Sequence, residues 1–311
     1  MFLNVLEMVL PIFVALLIGV MVRKRNILDE SGCEAIKKLV SSVMLPVVLF
    51  NAFLFADYSK DMIVIIIVVF VSELILLGLG YLLRRFISDH ANYFPFLLCT
   101  MECGALGYPL IAMLYGAKGI SELAIMDASN CVFAIGIVVP LLLAADGSSA
   151  EPRSIIKNAV TSPTFIAMLL GIAMGLLVHL DDALVDSVVF GCYKKVGAFI
   201  AGPTGMLILI TVGYGIVLRK DLIKPVVFTA LARLAASAAL CAVSCLIVFR
   251  FIPFDKDTLV AMMIAFALPA SYSILMFAKF EGHKEYASTT ISFETILYLL
   301  TFIGITIYAI G

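Results

Sequence analysis

The stretch Met101-Glu-Cys-Gly-Ala-Leu-Gly-Tyr-Pro-Leu110 decides the fold of this chain. It lies inside an apolar segment, residues 93–115, that is long enough to cross a bilayer as a helix. Pro109 lacks a backbone N–H, and Gly104 and Gly107 tolerate non-helical geometry, so we expect the helix to break within this stretch. Backbone groups freed inside hydrocarbon need partners from protein or from a water-filled cavity. The stretch therefore predicts a polar centre within a membrane-spanning helix.

A second Pro-interrupted apolar stretch, Ala267-Leu-Pro-Ala-Ser-Tyr-Ser-Ile274, lies in the corresponding part of the second half. A single proline in an apolar helix most often marks a kink in a packed helix. Two such breaks at matching places in both halves are instead typical of the central site of a transporter. We therefore expect Pro109 and Pro269 to mark two broken helices that cross.

The composition is that of an integral membrane protein. The 311 residues are 63% hydrophobic and 14% charged, with a mean hydropathy of +1.14. A net charge of −1 gives no reason to expect a nucleic-acid partner. The seven cysteines and three histidines are scattered without metal-ligand or disulfide spacing, so we expect neither a metal nor a bound cofactor. The first apolar run, residues 2–22, contains Glu7 and no basic leader, which predicts a first span rather than a cleaved signal.

Ten apolar runs predict an all-α membrane protein with ten transmembrane helices. The expected spans cover residues 2–22, 38–55, 62–83, 93–115, 122–144, 163–178, 196–217, 225–249, 259–280 and 287–310. Residues 1–144 would form a first five-helix unit, residues 145–162 a cytoplasmic connector, and residues 163–311 a second five-helix unit.

Basic residues predict the orientation in the membrane. Loops after odd-numbered spans contain 14 Lys and Arg residues, against 6 in the loops on the other side. Because Lys and Arg are enriched in cytoplasmic loops, we expect the odd-numbered spans to end in the cytoplasm. This places both termini outside the cytoplasm, in a multi-pass protein of the cell (plasma or inner) membrane.

Matching motifs indicate that the two halves are repeats. Lys37-Lys38 precede Pro46 by the same spacing with which Lys194-Lys195 precede Pro203, an offset of 157 residues between the halves. The two prolines of the broken stretches lie 160 residues apart. With five spans in each half, the second copy must be inverted in the membrane. We therefore predict two inverted five-helix repeats, with broken spans four and nine crossing.

Five ionisable residues fall inside the expected spans, where charge is costly and by default marks function. They are Glu73, Glu102, Asp127, Arg233 and Glu294. Glu73 and Arg233 also lie 160 residues apart, and an ion pair between them would offset their desolvation, as a clamp between the halves or as part of coupling. Asp127 and Asn130 lie nearer the outer end of span five, where a wet vestibule would suffice. Four acids against one base suggest that a proton or a cation such as sodium binds during the cycle, with Asp127 and Glu294 among its candidate ligands.

Glu102 is the acid on the first broken stretch, and it could bind a cation, take up a proton or repel an anion. Neutral polar residues near the two breaks are candidate substrate contacts, although a lone Ser or Thr more often bonds its own helix. They are Ser42, Asn51, Thr204, Ser271, Tyr272 and Ser273. Half-helix N-termini after each break point backbone N–H groups at the centre, which suits a substrate that carries a carboxylate.

These motifs resemble the auxin efflux carrier family, which includes plant PIN-FORMED carriers and bacterial malate and malonate permeases. The resemblance rests on residues 19–52, where Arg-Lys-Arg-Asn-Ile-Leu-Asp-Glu leads into Leu45-Pro-Val-Val-Leu-Phe50. It further rests on Gly107-Tyr-Pro109-Leu with Tyr115-Gly116, and on Leu268-Pro269 with Phe277-Ala278. The short loop at residues 145–157 is similar to that of the bacterial permeases.

The resemblance implies a scaffold of spans one, two, six and seven, and elevator-type alternating access by spans three to five and eight to ten. It also implies organic-anion substrates and a homodimer through the scaffold helices. Glu102, Gly107, Pro109, Pro269, Ser271, Ser273 and Asn51 would then be the substrate-site residues. The chain departs from the family where Glu102 and Ser273 stand in place of the usual Asn. A cation–proton exchanger that uses the buried carboxylates is the alternative, whereas no nucleophile or metal motif indicates an enzyme.

Overall fold

The computed structural model describes residues 2–54, 60–87, 92–145, 157, 161–178, 188–216, 219–272, 274–275 and 281–310, and every regular element among them is a helix. Those of the first half are α1 (Phe2–Lys24), α2 (Glu30–Leu39), α3 (Leu45–Leu54), α4 (Lys60–Leu83), α5 (Phe94–Cys99), α6 (Tyr108–Phe133) and α7 (Val139–Ala145). Those of the second half are α8 (Pro163–Val178), α9 (Val188–Gly215), α10 (Ile223–Phe251), α11 (Lys256–Ala267) and α12 (Glu281–Ile310).

Single π-helical turns join some of these helices into longer rods. Val40–Met44 connects α2 to α3, and Ala134–Val138 connects α6 to α7. The first of these turns immediately precedes Pro46, which cannot donate a backbone hydrogen bond. The wider turn shifts the hydrogen-bond register there, so the helix continues through the proline.

Seven helical stretches among the described residues are long and apolar enough to cross a bilayer, which confirms an all-helical, multi-pass membrane protein. They are Glu30–Leu54, Met62–Phe86, Phe94–Gly116, Lys118–Ala145, Phe190–Gly215, Lys220–Phe251 and His283–Ile310. Pro163–Leu177 is a shorter apolar helix. The count of ten spans and the inversion of the second repeat remain predictions.

One group of helices packs through glycines. α1 packs against α9, and α3 packs against α8. A Cβ atom built on Gly19 would lie 2.1 Å from the Ile210 carbonyl oxygen, and one on Gly213 would lie 2.1 Å from that of Leu16. Only glycine lets the two backbones approach so closely, as small residues do at helix interfaces in membranes. If the first half is superimposed on the second in chain order, the pair α1–α9 maps onto the pair α8–α3, as expected for two halves that repeat.

The second group surrounds the two breaks. α4 packs against α5, α6 and α10, while α11 packs against α6, α10 and α12. The two groups meet where α6 contacts α3 and α9, and where α1 contacts α12. This arrangement encloses the breaks between helices of both halves.

The first break lies between α5 and α6, and the second break follows the end of α11. α5 ends at Cys99, the chain is non-helical to Glu102, and a π-helical turn leads into α6. Pro109 lies in the first turn of α6, where no backbone N–H is needed, so the chain leaves helical geometry before this proline rather than at it. In the other half, α11 ends at Ala267 and Pro269 lies within the break itself.

Gly116 divides α6 into the end of one span and the start of the next. Its φ of 58° and ψ of −139° lie outside the helical region, at a place where a side chain would be strained. The sequence motif Tyr115-Gly116 therefore marks a real corner of the backbone.

Candidate functional site

The two breaks contact each other directly. The Glu102 N–H donates to the Pro269 carbonyl oxygen at 3.0 Å. The Ser271 N–H donates to Thr100 Oγ1 at 3.1 Å. We call residues 100–102 and 268–272 the crossing; within it, the freed backbone groups of one half are satisfied by the other half.

The Glu102 carboxylate joins the turn that leads into α6 to the second break. Its Oε1 accepts from the Ala105 N–H at 2.9 Å, in the turn that leads into α6. Its Oε2 accepts from the Tyr272 N–H at 2.7 Å and from Ser271 Oγ at 3.2 Å. Backbone N–H groups at helix starts form a natural anion site. The buried Glu102 carboxylate therefore accepts from donors of the kind that bind anions.

Arg233 of α10 supplies the donors for the carbonyl groups that both breaks expose. Its Nη1 donates to the Leu97 oxygen at 2.6 Å, and its Nη2 donates to the oxygens of Thr100 and Leu268, the latter at 2.9 Å. Its Nε lies 3.8 Å from Glu294 Oε2. The expected ion pair between Glu73 and Arg233 is wrong, because among the described residues the salt-bridge partner of Arg233 is Glu294. A shared offset identifies equivalent positions in two repeats, which need not touch.

Asn130 supports the first break from span five. Its Nδ2 donates to the Met101 oxygen at 3.0 Å, and its Oδ1 accepts from the Met101 N–H at 3.2 Å. Asp127 accepts from Asn130 at 3.2 Å and from the Tyr108 hydroxyl at 2.8 Å. Both residues are buried, so the expected outer vestibule around them is wrong. Asn130 was not among the predicted site residues, although an amide one turn after Asp127 in an apolar span is a usable signal.

Glu73 and Glu294 each keep one carboxylate oxygen without a hydrogen-bond partner. Glu73 is fully buried, and its Oε2 lies 3.5 Å from Ser129 Oγ while its Oε1 has no partner. Glu294 accepts from the Ala270 N–H at 2.9 Å through Oε2, and its Oε1 has no partner. Two of the predicted coupling residues therefore hold unsatisfied acceptors beside the crossing helices.

The other predicted substrate contacts are distributed differently. Asn51 lies in α3 and accepts from the Tyr193 hydroxyl of α9, so its side chain joins those two helices rather than the crossing. Thr204 donates to the Ile200 oxygen of its own helix at 3.0 Å, and Ser42 is exposed. Ser273 lies outside the described residues.

Gly107 and Pro109 shape the wall of the crossing. A Cβ on Gly107 would lie 2.8 Å from Leu123 and 3.1 Å from Leu268, so a larger residue would push the second break away. A Cβ on Gly205 of α9 would lie 3.4 Å from Pro109, which brings the two helix groups together at this point. Among the described residues, no group of His, Cys, Asp or Glu side chains could hold a metal ion.

The fold is that of a multi-pass membrane protein, and broken helices that meet within the membrane are typical of the binding sites of transporters. The family model described as membrane transport protein matches residues 4–154. An uncharacterized transporter of Methanothermobacter thermautotrophicus is 24% identical over 308 residues, which cover 96% of this chain and 97% of the relative. The resemblance to a family of membrane transporters, drawn above from the sequence motifs, is confirmed.

Proposed function

We propose that this protein is a secondary transporter of a small organic anion that carries a carboxylate. The observation that carries this proposal is the position of Glu102. Its carboxylate accepts from the N–H groups of Ala105, in the turn that leads into α6, and of Tyr272, in the second break, and also from the Ser271 hydroxyl. A site that holds an internal carboxylate with these donors has the chemistry to hold the carboxylate of a substrate.

Substrate would bind by taking over part of this donor set. The Tyr272 N–H and the Ser271 hydroxyl both bond to Oε2 of Glu102, whereas Ala105 bonds to Oε1. A substrate carboxylate could replace Oε2 while Oε1 keeps its own bond. Two negative charges about 5 Å apart at an effective dielectric constant of about 20 repel by about 3 kcal/mol. Glu102 would therefore weaken anion binding and favour release.

The packing supports an elevator-type movement. α1, α3, α8 and α9, which approach one another through glycines, would form the scaffold. Arg233 bonds to carbonyls of both breaks, so the crossing and α10 would move as one body. The contact of Pro109 with the region of Gly205 would lie on the sliding surface between the two. Such motion would expose the crossing first to one side of the membrane and then to the other.

Uptake into proteoliposomes across a panel of labelled mono- and dicarboxylates tests this proposal. Wild-type protein is expected to show saturable uptake of at least one of them. Removing the charge with Glu102→Gln should lower the KM for that anion by about tenfold or more, with a larger effect for a dicarboxylate. Glu122→Gln is the matched control, because Glu122 is a half-buried acid of α6 that accepts from Thr258 at 3.2 Å, away from the crossing. Absence of uptake for every carboxylate would reject the proposal.

A cation–proton exchanger is the second candidate, favoured by the charge balance of the spans. Glu73, Glu102, Asp127 and Glu294 are all buried, and Arg233 is the one buried base among the described residues. Carboxylates in excess suit cation binding. Proton flux driven by a sodium or potassium gradient, without any organic anion and lost in Glu102→Gln, would favour this function over the first.

A further inference from the structure

A small cavity, lined mostly by apolar side chains but with four polar ones, lies beside the second break. It is bordered by α10, the end of α11 with the second break, and α12, and its volume is about 20 Å³. Its polar lining residues are Arg233, Ser237, Glu294 and Tyr298. A space of this size holds one water molecule when polar groups face it.

Two buried polar atoms of the lining residues have no partner. Glu294 is 4% exposed and Tyr298 is 2% exposed, yet Oε1 of the first and the hydroxyl of the second make no hydrogen bond within the described structure. An unsatisfied buried polar group costs free energy unless something occupies the space in front of it. The occupant must donate to a carboxylate oxygen and also bond a phenol hydroxyl.

The surroundings of Glu294 Oε1 favour a proton over a metal cation. The Arg233 Nε lies 3.8 Å from Glu294 Oε2, so a metal cation at Oε1 would be close to a guanidinium and repelled by it. Arg233 also opposes a proton on Oε1, because the guanidinium favours the ionised carboxylate, but a proton needs no further ligand atoms. A metal cation needs several oxygen ligands, and among the described residues no group of three or more His, Cys, Asp or Glu side chains could supply them. The protonated carboxyl would donate to a water molecule in the cavity or to the Tyr298 hydroxyl, and both unsatisfied atoms would gain partners.

We propose that Glu294 is the proton-binding site of this protein: Oε1 takes up one proton from water, and the neutral carboxyl donates it as a hydrogen bond inside the cavity. The coupling of this proton to transport rests on the proposed function, whereas proton binding itself does not. A neutral Glu294 loses its ion pair with Arg233 and accepts the Ala270 N–H more weakly. Protonation therefore loosens the second break, and loss of the proton restores the arrangement seen here.

The other ionisable groups near Glu294 are few. Arg233 and Tyr298 line the cavity with it. Glu102 and Tyr272 lie at the crossing, and Tyr286 lies about two turns before Glu294 in α12. The remaining ionisable residues of the helices packed on α12, and of α12 itself, do not line the cavity. Those whose side chains the structure describes are Glu7, Arg23, Lys24, Cys99, Lys224, Cys241, Cys245, Arg250, Lys256, Asp257, His283, Lys284, Glu285 and Tyr308. Arg233 is thus the charge that faces the carboxyl.

Infrared difference spectroscopy of the purified protein between about pH 5.5 and about pH 7.5 tests proton binding without any substrate. We expect a protonated-carboxyl band that appears on acidification, is lost in Glu294→Gln and remains in Glu122→Gln. Tyr298→Phe removes only one hydroxyl from the cavity and should move the midpoint of this band by about one pH unit. This second variant decides the matter if Glu294→Gln does not fold. A band unchanged in Glu294→Gln, or a midpoint unchanged in Tyr298→Phe, would overturn the proposal, as would sodium-dependent thermal stabilisation lost in Glu294→Gln.

Proteoliposomes with an imposed pH gradient test the coupling separately. Wild-type protein should accumulate its labelled carboxylate several-fold above the level without a gradient, whereas Glu294→Gln should exchange the anion but ignore the gradient. If no carboxylate is transported, the proposed function fails and the infrared result still stands. If transport occurs in both proteins with the same response to the gradient, proton coupling through Glu294 is wrong while the proposed function survives.

Discussion

The two breaks of the crossing are held by different chemistry. Span five serves the first break with Asn130, a neutral amide that both donates to and accepts from Met101. Helix α12 serves the second break with Glu294, a carboxylate that can only accept, and it takes the Ala270 N–H. The amide has its oxygen and nitrogen both bonded, whereas Oε1 of the carboxylate has no partner and Glu294 lines a cavity. The first break is therefore a closed structural joint, and the second is a joint whose strength depends on charge.

Arg233 connects the two joints, and its removal is expected to have the largest effect. Arg233→Met leaves the carbonyl oxygens of Leu97, Thr100 and Leu268 without these donors, and Glu294 without its counter-charge. Breaking one side of a buried ion pair costs about 3–5 kcal/mol. The chain has no tryptophan but has five buried cysteines, so thermal unfolding in detergent can be followed with a thiol-reactive dye.

The lysine variant distinguishes charge from geometry at this position. Arg233→Lys keeps the positive charge beside Glu294 but cannot reach three carbonyl groups with a planar fork. We expect an intermediate loss of thermal stability. Equal stability of wild type and Arg233→Met would show that the two breaks are not held through α10.

Glu102→Ala is expected to have the second-largest effect, because Glu102 reaches across from the first break to the second. The variant removes the acceptor for Ala105, Ser271 and Tyr272 together. Hydrogen bonds to a charged group contribute about 1.5–3 kcal/mol each, and the loss is partly recovered if water enters, so we expect about 3 kcal/mol of destabilisation. The same dye assay measures it, and a loss smaller than that of Asn130→Ala would contradict the bridging role of Glu102.

The sequence predicted the spans better than the contacts between them. The span expected at residues 163–178 coincides with α8, Pro163–Val178, because a long apolar run bounded by polar residues has few alternatives in a membrane. The first break was expected within residues 101–110 and lies at residues 100–102, at the beginning of that stretch, since proline is tolerated in the first turn of α6.

The partners of the buried charges could not be predicted in the same way. Arg233 was paired with Glu73 from their shared offset, yet it lies beside Glu294. Offsets report equivalence between repeats, while pairing depends on how helices of the two halves are rotated against each other. The role of Asn130 was missed for a similar reason: its target is a backbone group of Met101, which has no sequence signature.

Asn130→Ala sharpens the comparison of the two joints. The variant removes two bonds to Met101 and one to Asp127, and hydrogen bonds between helices in membranes contribute about 1 kcal/mol each at most sites. We expect a loss of about 1–2 kcal/mol that is the same at pH 5.5 and pH 7.5, roughly the range over which a carboxylate joint could titrate. The loss caused by Glu294→Gln should instead shrink on acidification, because protonation already weakens that joint in the wild type. A pH-dependent loss in Asn130→Ala would remove the distinction between a neutral and a charged joint.

Asp29 makes an exposed counterpart of a Glu102 contact, since each carboxylate accepts from the backbone N–H three residues later. We expect the smallest effect here. Asp29 precedes α2, and its side chain accepts from the Gly32 N–H at 2.8 Å and from the Ser31 hydroxyl at 2.8 Å, in full contact with water. The Gly32 N–H, and next the Ser31 hydroxyl, hold the pKa of Asp29 below its ordinary value. A carboxylate with a lowered pKa in the folded state stabilises that state above the unfolded pKa of about 3.9, and the contribution is lost as the pH falls through the lower folded pKa.

Asp29→Ala should therefore lower the unfolding midpoint near neutral pH, by less than about half the effect of Glu102→Ala. The effect is smaller because water replaces the lost acceptor at the exposed site but not readily at the buried one. The difference between wild type and Asp29→Ala should disappear in acid below the folded pKa, whereas Asp29→Asn, which keeps a capping oxygen, should retain most of the stability at neutral pH. If Asp29→Ala destabilised the protein as much as Glu102→Ala, burial at the crossing would not be what makes the Glu102 contacts strong.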